Sequence, residues 1–198
     1  VEQLAERCDT CVVACVQEKP FTFADDVAIP GSKPEAEELL KHRVALRCSE
    51  AKVIGSKLIF KGMFTITLLY RTAEGECCST TGELPFSQIM EVEGAEEGAV
   101  PSVQLQLTGA DFQIDGDDPE GRQIAVTLYL HATALLRREQ ELTLLSDLYS
   151  TAYEMAYEAV PLTLTSFCES LTRRQTVREV LEIGVVAESI LSLTVSCG

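Results

Sequence analysis

The chain has 198 residues, 46% of them hydrophobic, so it can bury a substantial core as one large or two small domains. Its 31 acidic and 16 basic residues give a formal net charge of −15, which opposes binding to phosphate backbones and anionic membranes. The longest apolar runs, such as MFTITLLY at 63–70, are far shorter than the roughly 18 to 20 residues of a membrane-spanning helix. We therefore expect a soluble, folded chain without nucleic-acid binding or membrane insertion.

Apolar residues recur at every second position along much of the chain, which predicts half-buried strands. The first is PFTFADDVAIP at 20–30, and residues 43–71 follow as two long strands around the turn at Gly55. Two more strands, at 102–114 and 122–138, flank the turn DGDDPEG. Seven alternating residues of the last strand share one face: Ile124, Val126, Leu128, Leu130, Ala132, Ala134 and Leu136.

Helical signals are short. Pro34 suits the first position of a helix, acidic residues follow it, and Leu39 and Leu40 come next, so a short helix is predicted there. A short irregular or helical piece is predicted from Ser87. Residues 149–158 fit either a helix or a strand, and their β-branched content favours a strand. The predicted fold is mainly β: an antiparallel β-sandwich or barrel-like sheets with one or two short helices.

Three thiols near the start of the chain raise the question of a metal site. Cys8, Cys11 and Cys15 are spaced by three and four residues, but a structural zinc site needs four ligands, usually in two short pairs. The other candidate ligands are Cys77, Cys78, His42 and His131. Because the thiols would equally form a buried stripe on one helical face, we interpret them as small hydrophobic side chains and predict no metal ligand. The eight cysteines fit a reducing, cytoplasmic compartment.

The acidic segment 83–121 contains ten carboxylates and no Lys or Arg. Asp115 and Asp117 have the opening spacing of a calcium loop. However, Pro119 stands at the next ligand position, and the loop has no terminal Glu. We interpret this segment as a solvated hairpin turn.

Catalytic signals are few. His131 is predicted on the strand face opposite the apolar set, and His42 at the end of the short helix. Cys77 and Cys78, which would point to opposite faces of a strand, have only Arg71 as a nearby basic residue. The chain shows no glycine-rich phosphate loop, GxSxG or HExxH motif. We predict no enzyme activity, no catalytic residue and no cofactor.

A weak internal repeat links the two ends of the chain. TFADDVAI at 22–29 aligns with TVREVLEI at 176–183, and EELLKHRVAL at 37–46 aligns, after a three-residue gap, with ESILSLTVSC at 188–197. The chain is therefore predicted to contain one complete unit and the opening of a second.

Four motifs in succession, IPGSKPEAEELL, KVIGSKLIFKGMFTITLLYR, LPFSQIMEVEGAEEG and SDLYSTAYE, resemble the SPOCS domain, the SipL-type spore-coat domain of endospore-forming Firmicutes. The resemblance covers about 21–157, with a partial second copy from about Thr176. It divides the chain into a lead-in segment (1–20), a SPOCS-like β domain (21–158) and the opening segment of a second copy (159–198). In this interpretation Gly55 and Gly62 permit turn or bulge geometry, and Pro85 ends a strand before Phe86 enters the core.

The resemblance implies a non-enzymatic scaffold or protein-interaction module of the spore coat or cell envelope, with no catalytic residues to carry over. Its expected partner is a coat or envelope protein, or another copy of the chain, bound through exposed strand edges or through the acidic segment, which would select a basic partner. The alternative is a β domain that binds a small molecule or cell-wall saccharide. With 6% aromatic residues and no Trp, stacking platforms for sugars are scarce, so this reading ranks second.

Overall fold

The computed structural model describes residues 2–93, 98–116, 118, 120–166, 168, 175–180, 182, 184, 186 and 190. Within these residues the chain forms strands and no helix. The strands are β1 (Glu2–Ala28), β2 (Glu38–Ile54), β3 (Lys57–Arg71), β4 (Cys77–Glu91), β5 (Val100–Ile114) and β6 (Gln123–Tyr149). The part of the chain described contains no helix long and apolar enough to cross a membrane.

The strands form two antiparallel three-stranded sheets. The first sheet has the order β1-β6-β5, and the second has the order β2-β3-β4. The second sheet is a meander whose tight turns contain Gly55 and Gly75, at positive φ angles of 58° and 85° that glycine adopts without steric cost. The predicted turns at Gly55 and at DGDDPEG are confirmed.

Alternating residues of the two central strands build one core between the sheets. Even-numbered residues of β3 from Leu58 to Tyr70 and of β6 from Ile124 to Leu136 are buried, as the period-two pattern predicts for β6. Across the sheets, the rings of Phe23 and Phe64 lie 4.8 Å apart between centroids. The predicted antiparallel β-sandwich is therefore confirmed.

The sandwich is not closed into a barrel. On one side β1 lies beside β4, where the ammonium group of Lys19 donates a hydrogen bond to the carbonyl of Ile89 at 2.7 Å. On the other side β2 lies beside β5, where the ring of His42 stacks on Phe112. Neither side continues as a shared ladder, so each sheet keeps its own edge strands.

Both predicted short helices are wrong. The residues after Pro34 form a loop and then enter β2, whose Leu39 pairs with Tyr70 of β3. Ser87 lies inside β4 and pairs with Lys61. Local helical propensity is a weak preference, and here it is overridden by the long ladders that β2 and β4 form with β3.

Pro85 does not end a strand, because β4 runs through it to Glu91. β4 is an edge strand, where a residue without an N–H group can be accommodated if that side faces away from the ladder. Phe86 is buried, as predicted. β6 ends at Tyr149, so the strand predicted over 149–158 does not form. The described residues beyond Tyr149, including those within 159–198, carry no strand. The proposed repeat over 176–197 falls mostly outside the described residues.

Candidate interaction surfaces

Beyond the third strand of the first sheet, β1 and β6 continue as a two-stranded ribbon of residues 2–11 and 139–149, called here the ribbon. β5 pairs with β6 only as far as Arg137, so no third strand from the described part of the chain covers the ribbon. Leu4 and Leu145 are more than half exposed, at 56% and 57%. The ribbon therefore presents strand edges that pair with no further described strand, together with apolar side chains.

The ribbon is also strongly acidic. It carries six carboxylates against the single cation Arg7, which lies 3.7 Å from Glu141 in an exposed ion pair. The carboxylates belong to Glu2, Glu6, Asp9, Glu139, Glu141 and Asp147. All six are exposed, and an exposed ion pair such as that of Arg7 contributes little, so the negative charge of the ribbon faces solvent.

The outer edge of β1 in the ribbon already has one backbone contact. The amide of Cys11 donates to the carbonyl of Thr165 at 2.7 Å, and the hydroxyl of Thr10 donates to the same oxygen at 3.0 Å. Thr10 is only 6% exposed although it is polar. The segment that follows the sandwich thus lies against this edge at one point.

The outer surface of the second sheet, called here the basic face, has the opposite charge. Seven cations point outward on β2 and β3, namely Lys41, Arg43, Arg47, Lys52, Lys57, Lys61 and Arg71. Four carboxylates share this face: Glu38, Glu50, Glu83 and Glu91. The basic face therefore carries a net positive charge in a chain whose total is −15.

Four of these cations follow one edge strand. Lys41, Arg43, Arg47 and Lys52 lie along β2, called here the basic stripe, and all are exposed. None of the four forms an ion pair with a carboxylate among the described residues. Between Glu38 and Glu50, β2 has no acidic residue to offset them.

The opposite end of the sandwich is held together by Arg122. Its guanidinium donates to the carbonyl of Lys33 at 2.8 Å and approaches the carboxylates of Glu35 and Glu120 at 3.3 and 3.4 Å. Its backbone carbonyl accepts a hydrogen bond from Ile29. Arg122 thereby joins the loop before β2 to the β5–β6 turn.

The β5–β6 turn is built around the carboxylate of Asp118. It accepts backbone N–H bonds from Arg122, Glu120 and Gln123, and these bonds, the first above all, lower the pKa of Asp118. The carboxylate is therefore occupied in holding the turn. Asp117 and Pro119 lie outside the described residues, and Asp115 donates its amide to Gln123.

An open depression of about 240 Å³ lies at this end of the sandwich. Among the described residues, its lining consists of the four carboxylates Glu35, Glu37, Asp118 and Glu120 together with Ala36, Ala73 and Gly121. This described lining contains no aromatic ring on which a sugar could stack.

The two histidines lie in different sheets and have different neighbours. His42 belongs to β2 rather than to a helix end, and its ring stacks on Phe112 with centroids 4.3 Å apart. His131 faces away from the core, as predicted, and its Nε2 lies 3.4 Å from a carboxylate oxygen of Glu18.

The three N-terminal thiols lie in β1 and are half-buried, so they share no helical face. From their register partners, Cys8 and Cys15 point to one face of the strand pair and Cys11 to the other. Cys77 is exposed and Cys78 half-buried in β4, on opposite faces as expected. Among the residues described, no group of three or more His, Cys, Asp or Glu is placed to hold a metal ion.

Sequence reasoning missed the basic stripe and Arg122. The alternation of Lys41, Arg43 and Arg47 with Val44 and Leu46 marks an outward strand face once this segment is read as a strand from Glu38. No local pattern identifies Arg122 as the link between the two loops, because its partners outside its own turn, Pro30, Lys33 and Glu35, lie 87 to 92 residues away in the chain.

Comparison with known proteins identifies part of the chain. Residues 35–115 match the family model described as SipL, SPOCS domain, a span that contains β2 to β5. A search of curated proteins and a search of solved structures each found no match. The match therefore supports, over residues 35–115, the resemblance to the SPOCS domain family that the sequence motifs indicate.

Proposed function

We propose that this chain is a non-enzymatic protein-interaction module that serves as a scaffold in assembly of the spore coat or cell envelope. The match to the SPOCS family model supports the coat-related role. In this proposal the module works in the cytoplasm, at the surface of the forming coat or envelope, and it uses no catalytic residue, cofactor or metal.

The ribbon is the observation that carries the proposal. An uncovered strand edge can accept a strand from another protein, with backbone hydrogen bonds providing affinity and side chains providing specificity. At Cys11 this edge already donates a hydrogen bond to a group outside the sheet, the carbonyl of Thr165. Leu4 and Leu145 add apolar surface beside the edge.

The charge of the ribbon defines the partner further. A basic partner segment is attracted to a ribbon that carries three carboxylates on each face and a single arginine, whereas an acidic segment is repelled. We therefore propose an extended segment rich in Lys or Arg as the bound element.

The test is to capture partners on the immobilised full chain from a lysate of a sporulating bacterium, identify them, and measure their affinity. The double variant Leu4→Ser and Leu145→Ser should bind the captured partner about tenfold more weakly. The control Val180→Ser changes a side chain that is 90% exposed outside the ribbon and should bind as the unaltered chain does. Capture of no partner, or equal affinity for all three proteins, would refute the proposal.

A further inference from the structure

We propose that the acidic ribbon of one chain binds along the basic stripe of a second copy of this chain. The inference rests on the proposed function, because it assigns a partner to the same ribbon. It adds a second surface, the outer side of β2, to which the SPOCS match assigns no role.

Charge complementarity carries the first step. The basic stripe holds four exposed cations without ion pairs among the described residues. The ribbon face that carries Asp9, Glu139 and Glu141 has three carboxylates and the single cation Arg7. In a chain of net charge −15, unpaired cations gathered on one strand are the place where a negatively charged surface is attracted rather than repelled.

The two surfaces agree in length and in apolar content. At about 3.3 Å per residue, the stripe from Lys41 to Lys52 spans about 36 Å, and the β1 part of the ribbon, residues 2–11, spans about 30 Å. Beside the stripe, β3 presents Ile59, Met63 and Leu69, which are half-buried on the outer face. By the register, Leu145 lies on the ribbon face that carries Asp9, Glu139 and Glu141, whereas Leu4 lies on the opposite face. Leu145 can therefore pack against these β3 side chains while the carboxylates of its own face meet the stripe.

The ribbon points away from the stripe of its own chain, so we assign the stripe that it contacts to a second copy. Where β1 lies beside β4, Lys19 is next to Ile89 and Val27 is next to Gly82. Lower-numbered residues of β1 therefore lie toward the C-terminal end of β4, at Glu91. The ribbon, at residues 2–11, continues past that end and leaves the sandwich. It therefore projects away from the stripe of its own chain.

Such a contact is heterologous, because different surfaces of the two copies meet. A repeated contact of this kind produces a ring or an open chain of copies rather than a closed two-fold dimer. The contact is narrower than a standard interface, so each single contact is weak and the association needs high chain concentration.

Sedimentation velocity of the full chain, at concentrations on the order of 100 µM, provides the test. The stripe variant Arg43→Glu with Arg47→Glu should remain monomeric, and so should the ribbon variant Asp9→Lys with Glu139→Lys. When the two variants are mixed, each has a surface complementary to the other, and association should return. A mixture that stays monomeric would overturn the proposal.

Two further measurements distinguish attraction between the two surfaces from the effect of the overall net charge. Raising the ionic strength from about 0.1 M to about 1 M shortens the Debye length from about 10 Å to about 3 Å, so the association should weaken. Net repulsion between chains of charge −15 would produce the opposite trend.

The effect of net charge is tested with two double variants that each make the chain more negative by two charges. One is Arg43→Gln with Arg47→Gln on the stripe. The control is Gln104→Glu with Gln106→Glu on the outer face of β5. Only the stripe pair should weaken association, and equal weakening would refute the proposal.

The outcomes also separate this inference from the proposed function. If the ribbon variant loses a captured partner while the unaltered chain stays monomeric, the ribbon is an interaction surface and the second copy is not its partner. If the stripe retains an acidic peptide or an oligonucleotide while the chain fails to self-associate, the proposal is likewise wrong.

Discussion

The ring of Phe86 lies over the backbone of Gly62, its register partner on the neighbouring strand β3. A Cβ atom at Gly62 would lie 2.5 Å from the ring and would also collide with the carbonyl oxygen of Arg47. Phe86 stacks in turn on Phe64, with centroids 4.6 Å apart. The aromatic core of the second sheet therefore requires a residue without a side chain at position 62.

Gly62→Ala should destabilise the fold by about 1–3 kcal/mol, because the ring and the backbone of β2 must both move to admit the methyl group. The measurement is chemical denaturation followed by circular dichroism. Gly31→Ala is the matched control, since a Cβ atom there meets nothing within 4 Å. Equal stability of the two variants would show that the packing around Gly62 yields without cost.

The strands whose apolar residues alternate regularly against the core were predictable from sequence, but the first part of β1, the start of β2 and the end of β4 were not. Alternation from Ile124 to Leu136 identified β6 because every second side chain is buried. In residues 2–11 of β1 both faces are largely exposed, so no apolar period marks this part of the strand. The residues after Pro34 have local helical character, and only their long-range pairing with β3 makes them a strand.

The candidate site was predictable only in part. Exposed strand edges follow from any open β-sandwich, and the acidic composition was visible at once. The net charge of −15 describes the whole chain and does not reveal that β2 is locally positive. Because side chains of a strand alternate between faces, Arg43 and Arg47 fall on one surface only when the strand register is known.

The turn around Asp118 predicts a specific dependence of stability on pH. Backbone N–H groups of Arg122, Glu120 and Gln123 hold the pKa of Asp118 below its usual value of 3.8. A carboxylate whose pKa is lowered by folding stabilises the fold above its unfolded-state pKa, and this contribution is lost as the pH falls through the folded-state pKa.

Asp118→Asn should therefore lower the melting temperature at neutral pH and reduce the difference from the unaltered chain as the pH falls below about 4. Thermal denaturation across this pH range measures the effect. Asp9→Asn, in the exposed ribbon, controls for the loss of one negative charge. A constant difference at all pH values would contradict the assigned role of the Asp118 carboxylate.

The contact between Cys11 and Thr165 predicts that the outer edge of β1 restrains the segment after the sandwich. The Cys11 amide points away from β6, since it donates to Thr165, so proline at this position removes that bond without removing a β1–β6 ladder bond. The preceding residue, Thr10, already has the extended conformation that proline favours.

Cys11→Pro should therefore leave the sandwich folded and increase cleavage within 159–166 by a protease of broad specificity. Cys11→Ala keeps the amide donor and should be cleaved as slowly as the unaltered chain. If the proline variant is cleaved no faster than the alanine variant, the hydrogen bond at this edge does not hold the segment in place.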